Sequence, residues 1–183
     1  MGKIREIAQL GDPVLRRKAR EIENITSPAH RELVDDLYET VRAADGAGIA
    51  APQVSQSERL IIICSRPTPR YPYAPEMEPT VMFNPRIDWL SEKTEVDWEG
   101  CLSIPGIRAR VPRSTSIQVS YQAVDGVNAQ CELEGFVARV FQHEVDHLDG
   151  MVYLDRIESS ADIFTEQEFL KQISGRAPVI QND

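Results

Sequence analysis

The segment 136–148 constrains the fold more than any other, because it is apolar around most of a helical circumference yet carries two of the chain's three histidines. Phe136, Val140, His143 and His147 recur at helical spacing, and Val137, Phe141 and Leu148 fill the adjoining stripe. That is the pattern of a helix surrounded by core. Gly150 is placed to end it as a left-handed cap. Within it, His143-Glu144-Val145-Asp146-His147 sets two imidazoles one turn apart on one face, where both can reach a single metal ion, with Glu144 projecting beside them. A carboxylate buried without a partner is costly, so Glu144 points to a working site, as the proton carrier for a water at the metal. The competing reading is a buried helix whose histidines only make hydrogen bonds.

A catalytic site of this kind needs a third protein ligand and an open position. A histidine three residues after the glycine would extend the motif, but Tyr153 stands there and is a poor ligand. Thermolysin-like proteases use a Glu from a later helix, and Glu166 and Glu168 lie at a plausible distance. Thr165 and Glu168, however, fit a capping box opening a short helix to Ser174, with Gly175 as its stop. The third candidate is Cys101, in Trp98-Glu-Gly-Cys-Leu-Ser-Ile-Pro105, where a strand end turns into a loop. Three cysteines and no secretory leader argue against a disulfide framework. Cys64, after Leu60-Ile-Ile-Ile63, and Cys131, alternating with Ala129 and Leu133, read as inert core thiols. Cys101, flanked by Glu99, Gly100 and Ser103, sits in a polar setting where the backbone can approach a ligand, and reads equally as ligand or as buried thiol.

Gln142-His-Glu-Val-Asp-His-Leu-Asp-Gly150, Glu99-Gly-Cys-Leu-Ser103 and, upstream, Gly46-Ala-Gly-Ile-Ala-Ala-Pro-Gln53 together resemble the three signature motifs of the peptide deformylases, in the family's order and at compatible spacings. The resemblance runs from Gly11-Asp-Pro-Val-Leu15 to about Asp155. It implies that Cys101, His143 and His147 hold one divalent ion, Fe(2+), which Zn(2+), Ni(2+) or Co(2+) can replace, with a water or hydroxide in the fourth position. It implies Glu144 as general base and then acid, and the Gln53 amide with the Leu102 N–H as the oxyanion hole. Gly48 lets the first motif press against the site. Gly46, Ala47 and the Gly100 carbonyl hold the peptide as an added strand. Phe136 and Val140 line the methionine pocket, whose lining is put in doubt where Arg139 interrupts the stripe. Arg108 resembles a loop arginine that meets the peptide, and reads equally well as a solvated charge. Glu99 is placed to orient a neighbour such as Arg113. The implied substrates are N-formylmethionyl peptides and nascent chains.

The chemistry of the residues agrees with these roles. A bound metal lowers the pKa of water from about 15.7 to about 7 and polarises a carbonyl, the two things that amide hydrolysis needs. Two rivals stand beside this reading. A zinc peptidase would take a carboxylate as third ligand and has no need of Gln53, and a metal-stabilised binding protein would close its coordination sphere and have no use for Glu144.

The 183 residues are expected to form a single domain, 1–183, of α+β class, with antiparallel or mixed sheets packed around the central buried helix. Ser27 and Pro28 open a helix with Leu33, Leu37 and Val41 on one face, and Gly46 ends it. Strands are expected at 60–63, 81–84, 94–98, 117–123 and 127–133, with Asp125-Gly126 turning between the last two. The Pro-rich segment 66–79 reads as a surface insertion, and the tail after Gly175 as frayed. A net charge of −9 argues against nucleic acid as a partner. No apolar run approaches the roughly 20 residues of a membrane span. The amino-terminal Met1-Gly-Lys-Ile-Arg-Glu6 carries no targeting pattern, so a cytoplasmic monomer is expected, an organellar origin remaining open.

Overall fold

The computed structural model describes residues 2–68 and 71–174. Helix α1 (Pro28–Ala43) starts where Ser27 Oγ accepts the His30 N–H at 3.2 Å with Pro28 in the first turn. Strands β1 (Gly48–Ala50), β2 (Leu60–Ile63), β3 (Thr80–Leu90), β4 (Thr94–Cys101), β5 (Ile104–Ser114), β6 (Ser116–Gln122) and β7 (Asn128–Glu134) follow. The chain then runs through α2 (Gly135–Leu148), β8 (Ile163–Thr165) and α3 (Glu166–Ser174). Pairing is antiparallel throughout, in a five-stranded sheet of order β1-β2-β3-β6-β7 and a three-stranded sheet of order β4-β5-β8. Among the described residues no helix is long and apolar enough to cross a membrane.

The run Leu60-Ile-Ile-Ile-Cys64 is buried along its whole length because both faces of the large sheet are covered. Ile61 and Ile63 pack with Ala138, Phe141, Val145 and Leu148 of α2, whereas Leu60, Ile62 and Cys64 pack with Leu33, Leu37 and Val41 of α1. Helix α2 thus lies between two layers, with its apolar side on the large sheet and its histidine-bearing side toward the small one. This explains why a helix with so much polar chemistry is buried from Ala138 to Leu148.

Several expectations are corrected. Gly46 does not end α1; Asp45 takes the left-handed position (φ 54°), and the Gly46 N–H bonds back to Val41 O at 3.0 Å. An aspartate tolerates that conformation, so the glycine is free for the cleft. The strand expected to stop at Asn84 before Pro85 continues to Leu90, because Asn84 at φ 49° and a register shift after Phe83 form an irregularity that absorbs the missing proline N–H. Strand β5, hidden by its prolines and arginines, is not among the strands expected from sequence. Cys131 is exposed, not core, because β7 is the outer strand of its sheet. Gly175 and the tail after it lie outside the described residues.

Asn84 also ties the sheet to the chain ahead of α1: Oδ1 accepts the Ile22 N–H at 2.8 Å, and Nδ2 donates to Ile22 O and Gln122 Oε1, both at 2.9 Å. Asn84→Ala loses these bonds and puts a residue that avoids the left-handed region where asparagine tolerates it, and should cost about 2–4 kcal/mol in urea unfolding. Asn84→Gly keeps the backbone and should cost about 1 kcal/mol less. Equal losses in the two variants would mean that the backbone conformation at 84 carries no strain.

Candidate metal centre

Three elements deliver the site. Helix α2 presents His143, Glu144 and His147, the end of β4 presents Cys101, and a short 3-10 turn (Ala51–Val54) behind β1 presents Gln53. The Cys101 Sγ and one nitrogen each of His143 and His147 all lie within 4.8 Å of one another, and all three residues are buried. Cys101 Sγ is 3.2 Å from His147 Nε2. Ligands at tetrahedral bond lengths around one ion would be roughly 3.3–3.6 Å apart, so the set matches what a single ion requires.

The tautomer of His143 is fixed from outside. Its Nδ1 is 2.9 Å from Glu99 Oε2, and since an ionised carboxylate only accepts, Nδ1 carries the proton and Nε2 is left to face the centre. Glu99 is itself held by Arg113 (2.9 and 3.0 Å) and Arg139 (2.9 Å). Burial would raise the Glu99 pKa, but the Arg113 guanidinium and the His143 hydrogen bond outweigh it and hold the group well below the usual carboxylate range. Arg113 also donates to Asp146 Oδ2 at 2.6 Å, and Arg156 to Asp146 Oδ1 at 2.6 Å. Tyr153 is no ligand: its ring stacks on His143 at 5.8 Å and its hydroxyl donates to Ile107 O at 3.2 Å.

The ligand groups also set one another's protonation. Burial pushes the Cys101 thiol up, yet the His147 and His143 imidazoles beside it prevail and hold it well below the ordinary thiol range. Burial lifts the Glu144 carboxyl to about 7, against the pull of His143 and His147. Glu144 Oε2 and His147 Nδ1 are buried without a hydrogen-bond partner. A buried orphan carboxylate oxygen beside a thiolate and two imidazoles is what a site built to receive further groups looks like.

Gln53 is oriented by its surroundings. Its Oε1 accepts the Ala50 N–H at 2.9 Å, so Nε2 is the end that reaches Ser103 Oγ (3.2 Å) and Cys101 Sγ (3.5 Å). The backbone comes equally close at two glycines. A Cβ on Gly48 would stand 2.7 Å from Glu144 Oε1 and 2.9 Å from Val140 Cγ1, and one on Gly100 would stand 2.1 Å from Arg108 Nη1.

One cleft collects most of the residues singled out from sequence. Gly46, Ala47, Gly48, Gln53, Gly100, Leu102, Arg108, Phe136 and Val140 line it together with Cys101, His143 and Glu144. His147 is buried behind them. Arg139, the interruption in the apolar stripe, lines the cleft too and is pinned to Glu99, Val111 O (2.7 Å) and Glu95 O (2.6 Å). Arg108 lies on β5 rather than in a loop, and at 5 % exposure it is not a solvated charge. Glu166 pairs with Arg108 and Glu168 with Lys171, so neither joins the metal cluster. Sequence reasoning missed Arg66, Thr68 and Tyr71, which bring the Pro-rich segment to the rim, with Tyr71 against Phe136 at 5.1 Å. The tyrosines among the prolines were the only signal.

A buried Cys/His/His set with an unpartnered glutamate beside it, opening on a cleft, defines a metal-dependent hydrolase. The comparisons name the kind. The family model for polypeptide deformylase matches residues 4–162. Peptide deformylase 2 from Nostoc sp. is 52% identical over 168 residues, covering 92% of this chain and 94% of that one. Peptide deformylase 1 from Xanthomonas campestris is 46% identical over 156 residues, covering 85% and 91%. A crystal structure of class I type b peptide deformylase from Acinetobacter baumannii, bound to Met-Ala-Ser, superposes with a TM-score of 0.84 at 40% identity, covering 86% of this chain and 100% of that one. Peptide deformylase from Thermotoga maritima gives 0.76 at 38%, covering 85% and 99%. The chain belongs to the peptide deformylase family, metal-dependent hydrolases that remove the formyl group from N-terminal formylmethionine.

The raised Glu144 pKa has a measurable consequence in protein stripped of metal. Between the unfolded value of 4.5 and the folded value of about 7 the folded state binds the extra proton, so this group's contribution falls as pH rises across that window and is flat beyond it. Glu144→Gln, which mimics the neutral acid, should match the stripped wild type below pH 4.5 and be the more stable above pH 7 by thermal unfolding. A stability difference that does not vary with pH would show that burial does not perturb this carboxyl.

Proposed function

We propose that Cys101, His143 and His147 hold one divalent ion, and that Glu144, Gln53 and Leu102 carry the deformylation around it. The observation that carries this reading is the Glu144 carboxyl, buried with Oε2 unpartnered, beside three donors gathered within 4.8 Å. When bound, the ion acidifies water and polarises a carbonyl. Glu144 takes the proton of the attacking water and passes it to the departing amine nitrogen, so that the formyl C–N bond breaks into formate and a free amino terminus. As the formyl oxygen takes on charge, Gln53 Nε2 and the Leu102 N–H donate to it, each worth on the order of 3 kcal/mol. The Ala50–Gln53 bond holds the amide in that orientation in advance.

The peptide lies extended between Gly46, Ala47 and Gly48 on one side and Gly100 on the other, with the methionine side chain against Phe136 and Val140. Support comes from topology, since β1 and β4 are edge strands of their sheets and both border the cleft. Met-Ala-Ser, held by the Acinetobacter relative, is what deformylation of formyl-Met-Ala-Ser leaves. A thiolate with two imidazoles suits iron(II) and zinc alike. We assign iron(II) from the family likeness, with zinc, nickel or cobalt able to replace it. The relatives named above come from bacteria, where nascent formylated chains are cytoplasmic, and we take the enzyme to act there as a monomer.

Glu144→Ala should keep about one equivalent of metal while formate release from formyl-Met-Ala-Ser drops at least ~10²-fold. Turnover within a few-fold of wild type would remove Glu144 from the mechanism. Metal analysis then tests the third ligand. Cys101→Ser should lose metal on dialysis, because a hydroxyl is a far poorer ligand than a thiolate, while Glu166→Gln and Glu168→Gln should retain it. The opposite pattern would make a carboxylate the ligand.

A further inference from the structure

Residues 163–174 lie past the span matched by the family model, yet they pack behind one wall of the cleft. Strand β8 pairs with β5, setting Phe164 opposite Arg108. The Trp98 ring meets Phe164 at 4.8 Å and Phe169 at 5.0 Å, edge to face. Trp98 and Arg108 both line the cleft, so this carboxy-terminal unit supports two of its surfaces from behind.

Arg108 is the more consequential of the two. Its guanidinium lies 5.8 Å from the Phe169 centroid and directly over the α-carbon of Gly100. Nη2 donates to Glu166 Oε1 at 2.6 Å and Nη1 to Ile107 O at 3.0 Å, while Nε is buried with no partner. An arginine stays charged at any working pH. Standing alone in a half-enclosed cleft, where charges are poorly screened, it would draw carboxylates strongly. The cleft would then favour peptides that end within a few residues, or carry acids there, over chains that run on. Paired with Glu166, Arg108 is held against Gly100 with its charge balanced.

We propose that Glu166 is a specificity-determining residue, which by fixing and neutralising Arg108 keeps the cleft indifferent to negative charge on the peptide downstream of methionine. The proposal rests on the reading that an extended formylated peptide occupies this cleft. Glu166 acts through Arg108 and touches no reacting atom, so it is a positioning residue.

The test compares formyl-Met-Ala, formyl-Met-Ala-Ser and formyl-Met-Ala-Ser-Ala, each as free acid and as C-terminal amide, on nickel-loaded enzyme at low salt. For wild type the ratio of acid to amide KM should be near one at every length. In Glu166→Gln the KM of the acid should fall relative to its amide by at least about threefold, at the length that brings the carboxylate against Arg108. That preference should fade at about 0.5 M salt, and Glu166→Asp should restore the wild-type ratio. An unchanged ratio in Glu166→Gln, with wild-type metal content and unfolding midpoint, overturns the proposal. Should that variant fail to fold, the wild-type ratio decides alone, because a several-fold preference for free acids would show that Arg108 is not neutralised. No formate from wild type with any peptide would instead remove the functional reading beneath it.

Discussion

The Glu99 carboxylate is the constraint on which the rest of the centre depends. Its two oxygens accept from Arg113 twice, from Arg139 and from His143. Taking a carboxylate out of water costs several kcal/mol, and the cost is offset here because each oxygen accepts two charged or polarised donors. The partners come from different layers: the acceptor Glu99 from β4, and the donors Arg113 from β5 and Arg139 and His143 from α2. One buried anion therefore locks the small sheet to the central helix and, in the same contact, fixes the ring of His143 in the tautomer a metal ligand requires. Asp146 extends the lock by sharing Arg113 and engaging Arg156.

With the helix held in that way, the two sheets are left with their edge strands facing a common cleft. Glycine makes the approach possible on both sides. At Gly48 the missing side chain leaves room for Glu144, and at Gly100 it leaves room for the Arg108 guanidinium. The large sheet supplies packing energy through α1 and α2, whereas the small sheet supplies Cys101 and the polar network. Stability and chemistry are thereby divided between the two layers, and α2 belongs to both.

Much of this was legible in the chain. The 136–148 pattern gave a buried helix because helical periodicity survives in any context that covers all its faces. The spacing of His143 and His147 gave two ligands because four residues are nearly one turn. Ser27-Pro28 opened α1 as read. Other features resisted. Strand β5 carries Pro105, Pro112 and three arginines, among them Arg108 and Arg113, which look like solvent-facing charge until Glu99, Asp146 and Glu166 are seen to absorb them. Cys131 shows the reverse error: its alternation with Ala129 and Leu133 is real, but on this outer strand Leu133 packs against the core while Cys131 is left exposed.

The sequence by itself determined the local chemistry: a buried helix with two metal-reaching histidines and a glutamate, a polar cysteine next to a glycine, and a glutamine in a Gly/Ala-rich turn. Periodicity and backbone preference act over a few residues, so a linear reading can recover them. Only the tertiary structure decided between Cys101, Glu166 and Glu168 as the third donor, because that choice turns on which of three distant segments comes within bonding distance of α2. It likewise decided that Tyr71 reaches the cleft, and that Arg108 and Arg139 are pinned rather than solvated. Those outcomes depend on partners 28 to 65 residues away in the chain, and burial forces the pairing only once the layers have closed.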